Sequence, residues 1–328
     1  MVNLPAPRSG NALFGASAIH ANDGGIEIPP NGKPATVRSL GRLNDTAGAF
    51  PPTGLVLLSI GSVQLGAAIA KGLFDELGPT GTVFLRIGFA ALVLLVLWRP
   101  SLKGYTRSDY LVAALFGLVL GAMNLTLYLA LDRIPLGVAV TLEFVGPLGV
   151  AVAGSRRLMD LIWAVLAAAG ILLLAPLNIL GDANLDPVGV ALALLAGLFW
   201  ASYILLSART GNAFPGGTGL VIALCVATVA LVPVGISGGG TALLDPGLLL
   251  AGFAVAMLSS AIPYSFELEA LRKLPARVFG VLMSLEPAVA ALIGFVVLGE
   301  RLGGRVIAAI LLVTVAAAGA SRFREKPG

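Results

Sequence analysis

The chain has 328 residues, of which 57% are hydrophobic and only 12% charged, with a formal net charge of +4 and a mean hydropathy of +0.95. A soluble domain carries about 25% charged residues, so this composition excludes a water-soluble globular fold and makes the bilayer the solvent. The small, scattered charge argues against a nucleic-acid groove, and a single cysteine, Cys225, has no partner for a disulfide.

Residues 1–52 differ in kind from the rest. The turn formers Asn22–Gly25 and Pro29-Pro30-Asn31-Gly32-Lys33-Pro34 have little to bury, and a disordered cytoplasmic tail is expected there. No apolar core of about 7–15 residues follows basic residues in it, as a secretory signal requires. From Thr53 onward, apolar runs alternate with short polar breaks. Ten spans are expected: 54–74, 79–98, 110–131, 135–154, 159–177, 187–208, 217–237, 246–271, 275–299 and 303–321. Each suits a hydrocarbon core of roughly 30 Å at a rise of about 1.5 Å per residue. Pro135, Pro246 and Pro275 stand at helix starts, where a missing N–H is harmless. Gly238-Gly239-Gly240 reads as an outer loop rather than a phosphate cradle, since no lysine follows it and no strand precedes it.

Basic residues orient the chain. With the N-terminus cytoplasmic, and the tail left out, twelve Lys and Arg fall in inside segments against four outside (Lys71, Arg133, Arg301 and Arg305). The loops between spans 5–6 and 7–8 carry only acids, Asp182, Asp186 and Asp245. Both termini are therefore expected on the cytoplasmic side.

The two halves resemble each other. Ile134-Pro135-Leu136-Gly137-Val138 matches Leu274-Pro275-Ala276-Arg277-Val278, and at the same displacement Pro147 matches Pro287 and Gly154 matches Gly294. Earlier in each half Pro79 matches Pro215, and Gly81-Thr82 matches Gly217-Thr218. An odd number of spans per half turns the second half upside down relative to the first. The fold class expected is an all-α polytopic membrane protein, ten transmembrane helices as two inverted five-helix repeats: 53–177 and 187–321, with a short cytoplasmic tail at 322–328. Inverted repeats build secondary transporters, whose halves expose a central site to each side in turn.

Ionisable groups at mid-bilayer are costly and normally face an interior cavity. Glu143 lies mid-depth in span 4, four residues before Pro147, which cannot donate to its carbonyl. Glu286 lies mid-depth in span 9 and directly precedes Pro287, which biases it away from helical geometry. Glu267 shares a face of span 8 with Ser259 and Pro263, with Tyr264 adjacent. Gln64 and Lys71 share a face of span 1, Asn124 and Tyr128 one of span 3, and Trp200 and Tyr203 one of span 6. Arg86 lies too deep in span 2 for a simple interfacial anchor. Each has a structural alternative. Gly117 and Gly121 suit helix packing, Lys71 stands near a span end, Trp200 and Tyr203 serve equally as packing aromatics, and Arg86 could be a counter-ion for a buried acid. No catalytic constellation, cofactor or metal site is indicated: His20, the only histidine, lies in the tail.

The runs Pro135-Leu136-Gly137-Val138-Ala139-Val140-Thr141-Leu142-Glu143-Phe144-Val145-Gly146-Pro147-Leu148 and Met283-Ser284-Leu285-Glu286-Pro287-Ala288 resemble the drug/metabolite transporter superfamily with two EamA-type repeats. So do Ile262-Pro263-Tyr264-Ser265-Phe266-Glu267 and Phe199-Trp200-Ala201-Ser202-Tyr203-Ile204-Leu205. More narrowly, they resemble its threonine/homoserine exporter branch. The resemblance covers about 53–321, and the long N-terminal tail departs from the branch pattern. It implies an inner-membrane exporter of small amino acids, energised by an ion gradient, with protons the expected coupling ion and homodimerisation left open. A zwitterion needs a cation for its carboxylate, supplied by Arg86 or Lys71, and an acid for its ammonium, supplied by Glu143, Glu286 or Glu267. A substrate hydroxyl would call on Gln64, Asn124, Tyr128 or Tyr264, and one carboxylate would carry the coupling proton. The rivals are an exporter of other metabolites or cationic drugs on the same fold and, more distantly, a membrane receptor or scaffold.

Overall fold

The computed structural model describes residues 51–100, 102–153, 158–174, 185–214, 217–263, 266–267, 270, 274, 279 and 282–322. Among them every regular element is helical: α1 Pro52–Gly72, α2 Phe74–Trp98, α3 Arg107–Leu131, α4 Leu136–Glu143, α5 Val145–Ala153, α6 Leu158–Leu174, α7 Pro187–Ala213, α8 Thr218–Gly239, α9 Pro246–Ala256, α10 Glu286–Leu298 and α11 Gly304–Arg322. A 3₁₀ turn, Gly240–Leu244, follows α8, and a π-helical turn, Met257–Ala261, follows α9. Among the described residues five helices are long and apolar enough to cross a membrane: α1, α2, α3, α7 and α8. Four further apolar stretches are shorter: Leu136–Val150, Pro246–Ser260, Glu286–Leu298 and Gly304–Gly319. Leu111, Leu118, Leu198, Val229, Leu250, Leu292 and Val296 stand exposed on the outside, where water would penalise them and lipid would not. The chain is a multi-pass membrane protein.

The helix ends follow local chemistry. Pro51 and Pro52 open α1, and Pro135 stands as the N-cap of α4 at φ −58°. Thr106 and Asp109 form a reciprocal capping box at the start of α3. Asp186 caps α7 by accepting from the Val188 N–H at 2.8 Å, and Asp245 caps α9 by accepting from the Leu248 N–H at 2.9 Å. Gly78 breaks the helical path inside α2 at φ 64°, so the continuous helix runs from Pro79, where the sequence places it.

The glycine run differs from expectation. Gly238 and Gly239 are still helical, and only Gly240 turns out, at φ 50°. The reason is close packing: a Cβ on Gly81 of α2 would stand 2.9 Å from the Gly239 Cα, so the two helices meet where neither carries a side chain. Span 6 also runs longer than expected, reaching Ala213.

Packing pairs the halves. Helix α2 lies against α8, α4 against α10, and α6 against α11. Helix α3 packs on α7, while α1 packs on the π-helical turn and α9. The buried core joins Tyr128, Leu131, Leu136 and Leu142 to Val221, Leu224, Ala290 and Ile310, so its residues come from both ends of the sequence.

Candidate functional site

Three of the helices break at proline, and all three breaks border one cavity. The first lies between α4 and α5. Pro147 has no N–H to give the Glu143 carbonyl, and the helix interrupts at Phe144. Gly197 of α7 fills the space beside that carbonyl: a Cβ on Gly197 would stand 2.7 Å from the Glu143 backbone oxygen. Phe144 then meets the edge of Trp200 one turn along α7, ring centroids 5.5 Å apart. The second break precedes α10. The turn falls at Ser284–Leu285, one residue earlier than Pro287 suggested, so that Glu286 is the first helical residue and Pro287 occupies the tolerated second position. An acidic side chain there also complements the positive helix end.

The third break is the π-helical turn. In its register the Ile262 N–H bonds the Met257 carbonyl, and the next donor in that pattern would be residue 263, a proline. The Leu258 carbonyl is left without its backbone partner. The Ser62 hydroxyl of α1 supplies one, donating to the Leu258 oxygen at 2.7 Å.

The cavity enclosed by these elements has a volume of about 210 Å³. Gln64 reaches it from α1, Arg86 from α2, Asn124 and Tyr128 from α3, Glu143 from α4, and Trp200 from α7. Glu267 and Glu286 add to its polar lining, as do Tyr203, Ser259 and Ser260. Most of the residues singled out from sequence thus meet at one cavity. Lys71 is not part of it. Its ammonium lies 2.7 Å from Glu300 Oε1 and donates to the Ile134 carbonyl at 3.1 Å. Tyr264 lies outside the described residues.

The polar groups are partly paired. Gln64 Nε2 donates to Glu286 Oε1 at 3.1 Å, which leaves Gln64 Oε1 and Glu286 Oε2 buried without a partner among the described residues. The Ser59 hydroxyl donates to Glu267 Oε1 at 2.6 Å. Arg86 Nη1 donates to the Tyr128 hydroxyl at 3.2 Å, with the guanidinium carbon 5.4 Å from the Tyr128 ring centroid, while Arg86 Nε is buried and has no partner among the described residues. Asn124 Nδ2 is turned back to its own helix, donating to the Leu120 carbonyl at 2.9 Å. The sequence reading missed Ser59, Ser62 and Glu300. Two hydroxyls within four residues of an apolar run are a signal for the first two; Glu300 sits at a span end and gives none.

Residues 187–322 match the EamA-like transporter family. The threonine/homoserine exporter RhtA of Salmonella typhimurium (strain LT2) is 42% identical over 277 residues, covering 84% of this chain and 93% of that protein. RhtA of Escherichia coli (strain K12) is 40% identical over 281 residues, covering 84% and 95%. A transporter of Bacillus subtilis (strain 168), YdeK, is 28% identical over 281 residues. A crystal structure of a protein 19% identical aligns over 81% of this chain and 96% of that one with a TM-score of 0.50, a likeness of fold alone. With identity of this level running through nearly the whole length of RhtA, the chain belongs to the EamA-like transporters, in the branch that contains RhtA.

Proposed function

We propose that this protein is a secondary active transporter that exports small amino acids of the threonine and homoserine class across the inner membrane by alternating access. The observation that carries the reading is the cavity itself, which offers a guanidinium, Arg86, together with three carboxylates, Glu143, Glu267 and Glu286. A zwitterion needs both signs of charge, whereas a purely cationic drug has no use for a buried arginine. Size points the same way: about 210 Å³ is below the roughly 300–1,000 Å³ of pockets for drug-sized ligands. The RhtA relatives carry the name of the same substrates.

The helix pairing supports two inverted repeats. Counted in spans, 2 lies on 7, 4 on 9 and 5 on 10, while the contacts of 3 with 6 and of 1 with 8 exchange under the same operation. A dyad relating 53–177 to 187–321 generates that pattern, and rocking one half against the other would open the cavity to each side alternately. The cytoplasmic placement of both termini rests on the basic-residue bias. Proton coupling rests on the buried carboxylates, one of which would load on one side and release on the other.

Efflux from proteoliposomes preloaded with radiolabelled threonine and homoserine, with and without an imposed proton gradient, tests the reading. Gradient-dependent loss of label, competed by the other amino acid, is expected. Inserted, folded protein that releases neither would remove the substrate assignment.

A further inference from the structure

We propose that the cavity is split into two charge-specific seats: an ammonium seat formed by Gln64 Oε1 and Glu286 Oε2, and a carboxylate seat formed by the Nε edge of Arg86. This rests on the amino-acid reading above and deepens it by assigning each pole of the substrate to named atoms.

The ammonium seat follows from unused acceptors. An ionised carboxylate only accepts, so opposite it the amide nitrogen of Gln64 faces Glu286, as the 3.1 Å bond from Nε2 to Oε1 records. The same contact fixes the amide oxygen pointing away from that bond. Gln64 Oε1 and Glu286 Oε2 are therefore two acceptors on side chains only 2% and 8% exposed, both lining the cavity and neither with a partner. Buried acceptors in folded proteins are normally satisfied. A primary ammonium carries three N–H groups and can serve both, with its charge balanced by Glu286. The other two acids are placed differently. Glu267 already accepts the Ser59 hydroxyl at 2.6 Å, and the Gln64 amide bonds Glu286 rather than Glu143.

The carboxylate seat follows from an unused donor. Tyr128 holds Arg86 through Nη1 and through the face of its ring. The opposite edge of the guanidinium, Nε with Nη2, can bind a carboxylate in two parallel hydrogen bonds, and Nε is buried with no partner among the described residues. Lys71, the other cation offered by the sequence, is committed to Glu300 and the Ile134 carbonyl. Arg86 and the Gln64–Glu286 pair reach the cavity from α2, from α1 and from the start of α10, so the poles of one ligand would bridge the two ends of the sequence.

The experiment is equilibrium binding to the full chain in lipid nanodiscs, using four probes: threonine, homoserine, threoninamide (no carboxylate) and 2,3-dihydroxybutyrate (no ammonium). Loss of one charge-assisted contact should weaken threonine roughly 10- to 100-fold. For Glu286→Gln and Gln64→Leu we expect that loss for threonine and threoninamide, while 2,3-dihydroxybutyrate binds as weakly as to wild type. For Arg86→Gln the pattern inverts: threonine and 2,3-dihydroxybutyrate weaken and threoninamide does not. Equal weakening of all probes by Glu286→Gln would mark a structural role and overturn the seat. So would the amine-specific loss appearing in Glu143→Gln instead. Wild type that binds alanine or leucine with this same pattern of losses, but neither threonine nor homoserine, would sink the substrate reading and still support the seats. Wild type that binds threoninamide as well as threonine would overturn the carboxylate seat whatever the cargo.

Discussion

Lys71 and Glu300, 229 positions apart, form an ion pair of 2.7 Å that ties the end of α1 to the segment after α10. Glu300 has a second task. Its two carboxylate oxygens accept the Leu136 N–H, at 3.1 and 2.9 Å, at the first residue of α4, where a helix has no backbone partner to offer. Breaking a fully buried pair costs about 3–5 kcal/mol. With the two side chains 22% and 12% exposed, Lys71→Met should cost less, roughly 2 kcal/mol. Glu300→Ala should cost more than Lys71→Met, because it also uncaps α4. Thermal unfolding in detergent gives the order directly, and a Glu300→Ala variant as stable as wild type would refute this account of the network.

The Ser62–Leu258 contact makes a sharper test, since two substitutions should cancel. Ser62→Ala removes the hydroxyl that donates to the Leu258 carbonyl, an expected loss of about 1–3 kcal/mol for a group left unsatisfied. Pro263→Ala restores a backbone N–H at the position that the π-helical register would use. The double variant should therefore recover much of the stability that Ser62→Ala loses. If the two losses simply add, the serine does not compensate for the proline.

Glycines near the first break separate packing from space. A Cβ on Gly146 would stand 1.9 Å from the Gly197 carbonyl oxygen, whereas one on Gly149 would have nothing within 4 Å. Gly146→Ala should fail to yield folded protein and Gly149→Ala should be neutral. Gly197→Ala is the informative case: its Cβ would press on the Glu143 carbonyl, displacing the break that presents the carboxylate. Transport should fall in that variant by more than its thermal stability does, and comparison of efflux with unfolding temperature decides it.

Asp186 provides the pH test outside the membrane spans. The Arg133 hydrogen bond at 2.9 Å, with smaller help from the Val188 N–H, holds its carboxyl below the usual aspartate range. A group depressed in the folded state stabilises above its unfolded pKa and ceases to do so as pH falls through the folded one. Asp186→Asn keeps an N-cap residue and removes the charge. Its unfolding temperature should lie slightly below wild type near neutrality and converge with it well below pH ~4. A constant gap at every pH would assign the effect to capping instead.

Five of the spans and most of the cavity were legible because they depend on local chemistry. Apolar length marks α1, α2, α3, α7 and α8, and a carboxylate in an apolar run, such as Glu143 or Glu286, has few places to go but an interior. Proline marked the breaks at Glu143 and Glu286 for the same local reason, whereas the π-helical turn at Met257–Ala261 gave no signal beyond Pro263 a turn later. Lys71 was ambiguous because sequence gives a side chain's depth but not its partner, and Glu300 is more than two hundred residues away. The glycine run at Gly238 misled because glycine serves both turns and close helix crossings, and only the presence of Gly81 opposite it decides between them.

Tyr128 distinguishes a positioning role from a binding one. Its side chain is fully buried and touches Arg86 through both hydroxyl and ring, so on the two-seat proposal it sets which edge of the guanidinium faces the cavity. Tyr128→Phe keeps the ring and loses the hydrogen bond. A hydrogen bond to a charged group contributes about 1.5–3 kcal/mol, and here the loss is softened by the ring that remains. The expected result is a KM for threonine efflux raised by roughly 3- to 30-fold, with maximal rate little changed. Arg86→Lys should not recover the wild-type KM, because an ammonium presents no paired edge. If Tyr128→Phe instead lowers the maximal rate at constant KM, the tyrosine acts in the conformational cycle, and the orientation of Arg86 is fixed without it.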